Sequence, residues 1–336
     1  MKIQSWQNRV DDSTIQPMQA DQAKAVEAIL NNSAVACQKL NEFTAKVFRT
    51  RGGRIGSGMG GVIEALWGFF LNELLDEKSG HEIELAWMYG HGYNDFACIR
   101  LGTDWNPETR EGELLRVEVK SMVTSADESK AHFDRLKKEL NDTDLLVVFL
   151  WDWVEGAKVG GGRFARVSPQ VKDHFIGRAS DVAILRDALH EARGGTFVIA
   201  GQCPDRCDET PCDHAGEPLN ANGKRERLTG PERKRVSKSV SYAANFGGLV
   251  RMLKCSSPQA RKAFRRICKQ NDTAWNFVGF IHRNLPDEEE NQYSKDEWTK
   301  VAAKTGLRDL PADKSELVRR IRAAGNSYRT VLRLLA

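Results

Sequence analysis

No stretch of this chain is long enough and apolar enough to cross a bilayer. The longest apolar run, Leu145 to Trp151, falls far short of the roughly 20 residues that a spanning helix needs. The opening residues, MKIQSWQNRVDDST, lack the apolar centre of a signal peptide. Internal repeats and low-complexity tracts are missing too, which excludes solenoids and sticky polar arrays. So is a strong net charge: 50 Lys and Arg against 46 Asp and Glu leave +4, and the whole-chain balance names no partner. Cysteine is scarce and odd in number. There are seven, three of them within ten residues, a pattern that favours a reducing compartment and metal binding over a disulfide framework. These absences together predict a cytoplasmic protein with no membrane partner. What is present is 336 residues, 40% of them hydrophobic, enough for one large domain with an appendage or for two domains.

The most informative stretch is Ile83 to Met122. A first apolar strand is expected from about Asn94 to Leu101 and opens on an acid, Asp95. A second is expected from about Leu114 to Met122, with Leu115, Val117 and Val119 on one side and Arg116, Glu118 and Lys120 on the other. The turn-rich Gly102 to Gly112 joins them, which suits an antiparallel hairpin with a long loop. Asp95, Glu118 and Lys120 then meet on one face. Two carboxylates and an amine on adjacent strands make a hard-cation site beside a positive charge, the arrangement that phosphodiester hydrolysis asks for.

Upstream, residues 1 to 50 carry an Ala-rich helical pattern. A Gly-rich turn follows, Arg51 to Gly61, opening a helix from Val62 to Leu75. Such a turn offers backbone N–H groups to phosphate, but no Gly-Lys-Ser/Thr follows, so it is not a Walker A loop; close helix packing explains it equally well. Glu64 lies among the apolar residues of that helix. A buried carboxylate without a partner is costly, so it either serves the helix N-terminus or faces the Asp95 and Glu118 pair. Downstream the pattern predicts a helix at Lys130 to Leu140, a buried strand at Asp144 to Trp153, a short strand at Phe164 to Val167 and a helix at Asp181 to Ala192. The alternation implies an α/β fold with a mixed sheet flanked by helices.

A helix bearing Glu64, a strand opening on Asn94-Asp95, a strand carrying Glu118-Val-Lys120, then a helix and a buried strand: over roughly residues 50 to 165 this order resembles the PD-(D/E)xK nuclease superfamily, the restriction-endonuclease-like fold. Asn94 stands where that family has proline. The resemblance implies a Mg²⁺-dependent DNA endonuclease of the type II restriction or phage-defence kind. Asp95 and Glu118 would hold the magnesium, and Lys120 would orient a water or stabilise charge on the phosphate. Glu64 would bind a second metal or position the first.

Beyond Phe197 the chain changes character. Cys203, Cys207, Cys212 and His214 follow a C-x3-C-x4-C-x-H spacing, a Cys3His set that suits structural Zn²⁺. Lys224, Arg225, Arg227, Arg233, Lys234, Arg235 and Lys238 come next, opposed by Glu226 and Glu232 alone. Arg251 to Lys269 adds further positive charge at helical spacing, and such patches neutralise phosphates. Helices are expected at Ser256 to Gln270, Ala274 to Asn284, Ser294 to Thr305 and Lys314 to Leu335. The division expected is a nuclease domain with N-terminal helices at 1–200, a zinc knuckle with a basic segment at 201–240, and a zinc-stapled, mainly α-helical, nucleic-acid-binding region at 241–336. Double-stranded DNA is the expected partner. A homodimer would let two sites reach both strands. Three other readings fit the same residues: a zinc-dependent nucleic-acid-binding protein on an inactive nuclease fold, a repair or resolvase nuclease, and an interaction scaffold in which the knuckle only staples the fold.

Overall fold

The computed structural model describes residues 19–48, 50–51, 58–76, 80–88, 94–124, 140–156, 166–192, 194–199, 218–219, 223, 258–284 and 293–325. Most of the Gly-rich turn, all but Leu140 of the helix expected at Lys130 to Leu140, Cys203 to His214, and Lys224 to Lys238 lie outside them. The elements in chain order are α1 (Ala20–Val47), β1 (Thr50–Arg51), α2 (Met59–Leu75), β2 (Ile83–Trp87), β3 (Phe96–Arg100), β4 (Glu113–Val123), β5 (Leu145–Glu155), β6 (Arg166–Arg178), α3 (Ala179–Ala192), β7 (Thr196–Phe197), β8 (Pro218–Leu219), α4 (Pro258–Gln270), α5 (Asp272–Asn284), α6 (Lys295–Lys304) and α7 (Lys314–Ala323). Five long strands and the two-residue β1 form one mixed sheet in the order β1-β6-β5-β4-β3-β2. All neighbours are antiparallel except β4 and β5.

The apolar run of β5 explains the layering. Leu145, Val147, Phe149 and Trp151 face one core, with α1 and α2. Leu146, Val148 and Leu150 face the other, with Phe175 and helices α3 to α7. A strand covered on both faces has no polar side, so its sequence reads as a continuous apolar run. In β4, Leu115, Val117 and Val119 go into the α1/α2 core, as the alternation predicts. In α1, Ala25, Ala28, Ile29, Ala36 and Leu40 recur at helical spacing and are buried.

Two strands depart from the sequence expectation. β2, Ile83 to Trp87, adds an antiparallel edge beside β3. β6 runs thirteen residues instead of the four expected at Phe164 to Val167. Its pattern is hidden by a bulge: Leu150 pairs with Asp173 and Trp151 with Val171, which leaves Lys172 as an extra residue. The extra residue reverses the alternation, so Val171 and Phe175 share sequence parity yet enter opposite cores.

Both sheet edges are closed by an asparagine from a covering helix. Asn41 of α1 donates to Val171 O (2.9 Å) and accepts from Val171 N (2.8 Å) on β6. Asn72 of α2 donates to Leu85 O (2.9 Å) and accepts from Leu85 N (2.7 Å) on β2. A carboxamide offers one donor and one acceptor side by side, so it stands in for a missing neighbouring strand. Pro169 is tolerated in β6 for a related reason. β1 pairs with residues 166 and 167 alone, and the Pro169 carbonyl accepts from Thr44 Oγ of α1 (2.7 Å).

Among the described residues no helix is long and apolar enough to cross a membrane. The small ribbon of β7 and β8 brings residues 197 and 218 together. His190 Nε2 of α3 lies 3.1 Å from Thr196 O and 2.9 Å from Leu219 O, fastening the ribbon to the helix.

Candidate active site

Where β3 stops pairing, β4 continues. The ladder between them starts at Phe96 and Val117, preceded by Asp95 N donating to Val117 O (3.0 Å). The next outward-facing amide of β4, Val119 N, donates instead to Asp95 Oδ2 (2.7 Å). The Asp95 side chain thus takes the place of a strand and is fixed in doing so. One residue earlier, Asn94 N donates to Glu118 Oε2 (2.7 Å), and Lys120 forms an ion pair with Glu118 Oε1. Asp95, Glu118 and Lys120, expected on one face of the hairpin, meet in this way.

Asn94 has φ +82, in the left-handed region that few non-glycine residues adopt. Proline, the residue the nuclease pattern has here, cannot reach that angle and carries no N–H to donate to Glu118. The departure from the pattern is therefore built into the backbone of this site. The Asn94 side chain is buried, and neither its oxygen nor its nitrogen has a hydrogen-bond partner among the described residues.

Glu64 reaches the same cluster from α2. Two glycines, one turn before and one turn after it, let the helix lie close to the sheet. A Cβ on Gly60 would come within 2.3 Å of Ser121 Oγ, and one on Gly68 within 2.6 Å of the Phe96 ring. Between them the Glu64 carboxyl is hydrogen-bonded to Asp95 and feels Glu118 and Lys120. Burial is the largest influence and Asp95 the next, and they push Glu64 up to about 8 in spite of Lys120. At neutral pH it holds a proton. Of the two alternatives open in the sequence, helix-end partner or member of the acid pair, the geometry selects the second.

Burial also raises Glu118, opposed by Lys120 and by the Asn94 amide. For Lys120 burial acts downward, but Glu118, Asp95 and Glu64 outweigh it and leave the amine raised. Lys120 is therefore a cation at neutral pH and has no lone pair with which to act as a base. Among the described residues no three His, Cys, Asp or Glu side chains are grouped as a ready metal cage. Val119 N–H contacts Asp95 Oδ2, and Asn94 N–H and Lys120 contact the two oxygens of Glu118. The donor chemistry nonetheless fits a hard cation. It is all oxygen, it concentrates negative charge, and Glu64 has an acidic proton to release.

Of the other predicted residues, Cys203, Cys207, Cys212 and His214 and the run from Lys224 to Lys238 fall outside the described residues. In α4, Phe264, Ile267 and Cys268 turn inward while Lys262, Arg266 and Lys269 face solvent. Sequence reasoning missed the part played by Asn94 N–H, since a backbone angle is not written in residue type. Comparison with protein-family models, with curated proteins and with solved structures gives no match.

Proposed function

We propose that this protein is a Mg²⁺-dependent endonuclease that hydrolyses phosphodiester bonds in double-stranded DNA, of the restriction or phage-defence kind that the motif order resembles. The observation that carries the reading is the meeting of Glu64, Asp95, Glu118 and Lys120, from one helix and two strands, at the point where β3 leaves β4. Three carboxyls and a partly buried cation at one spot exceed what fold stability requires, since bringing like charges together out of water is destabilising.

In this reading Asp95 and Glu118 would hold the magnesium, and Glu64 would bind a second metal or position the first. When bound, magnesium makes water acidic enough to supply hydroxide and neutralises charge on the phosphate. Asn94 N–H and Val119 N–H hold the two main carboxylates in fixed orientation. Lys120, charged throughout, stabilises the negative charge that grows on the phosphate oxygens as the water oxygen bonds to phosphorus. The bond from phosphorus to one sugar oxygen breaks. One proton of the water ends on that sugar oxygen and the other is released from the new phosphate monoester.

Cys203, Cys207, Cys212 and His214 are proposed to hold a structural Zn²⁺. The pairing of β7 with β8 supports this, because it draws together the two ends of the segment that contains them. Lys224, Arg225, Arg227, Arg233, Lys234, Arg235 and Lys238 are proposed to contact phosphates. Supercoiled plasmid incubated with the purified protein tests the central reading: nicked or linear product should form with Mg²⁺ and not with EDTA. An intact plasmid under both conditions, across several DNA sources, would overturn it.

A further inference from the structure

Four aromatic rings touch in series from the α1/α2 core to the surface. Phe149 of β5 meets Trp67 of α2 edge to face at 5.5 Å between centroids, and Trp67 meets Phe96 of β3 in the same way at 5.9 Å. The fourth, Trp87 at the end of β2, lies against Phe96 at 5.9 Å with the ring planes 29° apart. The first three are buried; Trp87 is 55% exposed.

Single exposed apolar side chains are ordinary on protein surfaces. Two things set this one apart. Its backing is rigid, because Phe96 is wedged against Gly68, where a Cβ would come within 2.6 Å of the ring. The indole therefore has a fixed ring to rest against when something covers its outer face. Its position is also particular. Trp87 is the register partner of Phe96, the residue after Asp95, and Met88 N donates to Asp95 O (3.0 Å). An exposed indole thus rests on the ring of the residue after Asp95, and the residue after it is bound to the Asp95 backbone.

We propose that Trp87 is a stacking platform for an unpaired nucleobase next to the phosphate that is cut. The proposal rests on the nuclease reading. A nucleobase is the apolar, planar part of such a substrate, and its π face pairs with indole whatever its identity. A base inside a duplex has both faces covered by its neighbours, so the platform serves bases that have left the stack or lie in a single strand. It adds binding and register without adding sequence choice.

The test is binding of a fluorescein-labelled single-stranded oligonucleotide and of its duplex, in EDTA so that nothing is cut. It uses wild type, Trp87→Ala and Trp87→Phe, each with its melting temperature and its mass in solution. Stacking on an aromatic side chain is worth about 1–3 kcal/mol per base, so Trp87→Ala should weaken single-strand binding by about 5- to 150-fold. The loss for the duplex should be smaller, and Trp87→Phe should stay within about threefold of wild type. Unchanged single-strand affinity in Trp87→Ala overturns the platform while plasmid cleavage by the wild type leaves the nuclease reading standing. Equal losses in the Phe and Ala variants overturn it too, as does a change of oligomeric mass that accounts for the loss. A wild type that neither binds nor cuts nucleic acid removes both.

Discussion

Glu64 holds a proton in the folded protein up to about pH 8 that the unfolded chain releases near 4.5. Between those values the folded state binds more protons than the unfolded one, so stability of the metal-free protein falls as pH rises through that window. Glu64→Gln keeps the shape and removes the titration. In EDTA its melting temperature should vary less with pH than that of wild type and exceed it at about pH 8. After allowance for solvent screening the difference is on the order of 2 kcal/mol. A wild-type melting temperature that rises over the same range contradicts the assignment. Asn94 gives a second residue-level test, independent of charge. Glycine retains the N–H and favours φ +82, whereas proline loses both. Asn94→Gly should keep cleavage within about tenfold, and Asn94→Pro should lose it by about 100-fold or more although proline is the residue that the nuclease pattern has there. Equal activity in the two variants would show that the Asn94 N–H does not hold Glu118.

At the scale of elements, the two asparagines do the work of missing strands. Removing either leaves an edge N–H and C=O of Val171 or Leu85 without its partner. Asn41→Ala and Asn72→Ala should each lower stability by about 1–2 kcal/mol in urea unfolding. The two sit at opposite edges of the sheet, so the double variant should show the sum. A strongly non-additive result would mean that the edges are coupled through the sheet. How far each strand was readable from sequence follows from the same geometry. β5 was legible because both its faces are buried, and β4 because one face alternates cleanly. β2 is five residues long and ends on an exposed tryptophan, too short for alternation to stand out. β6 was truncated because Pro169, the bulge at Lys172 and Gly177 break every simple period. In the site, Asp95, Glu118 and Lys120 were legible from order and parity, and Glu64 from being the lone acid near the start of an apolar helix. That Glu64 faces Asp95 was not legible, because it depends on how closely Gly60 and Gly68 let α2 approach the sheet.

For the molecule as a whole, the sheet joins two layers. The α1/α2 layer supplies Glu64 and the covered edges, while α3 to α7 pack on the opposite face around Phe175, Phe277 and Trp298. The β7/β8 ribbon fastened to His190 pairs the residues that flank the Cys203 to His214 stretch in sequence. Elemental analysis of purified protein should find about one zinc per chain, and Cys203→Ser should lose it. Protein free of zinc with unchanged stability in Cys203→Ser would end the knuckle reading. The central claim is that the cluster where β3 begins beside the middle of β4 cuts DNA. Lys120→Ala addresses it most directly, because it deletes the cation and leaves all three carboxyl groups in place. Plasmid nicking in Mg²⁺ should fall by about 100- to 1,000-fold while oligonucleotide binding in EDTA stays near that of wild type. Nicking by Lys120→Ala at the wild-type rate would contradict the account.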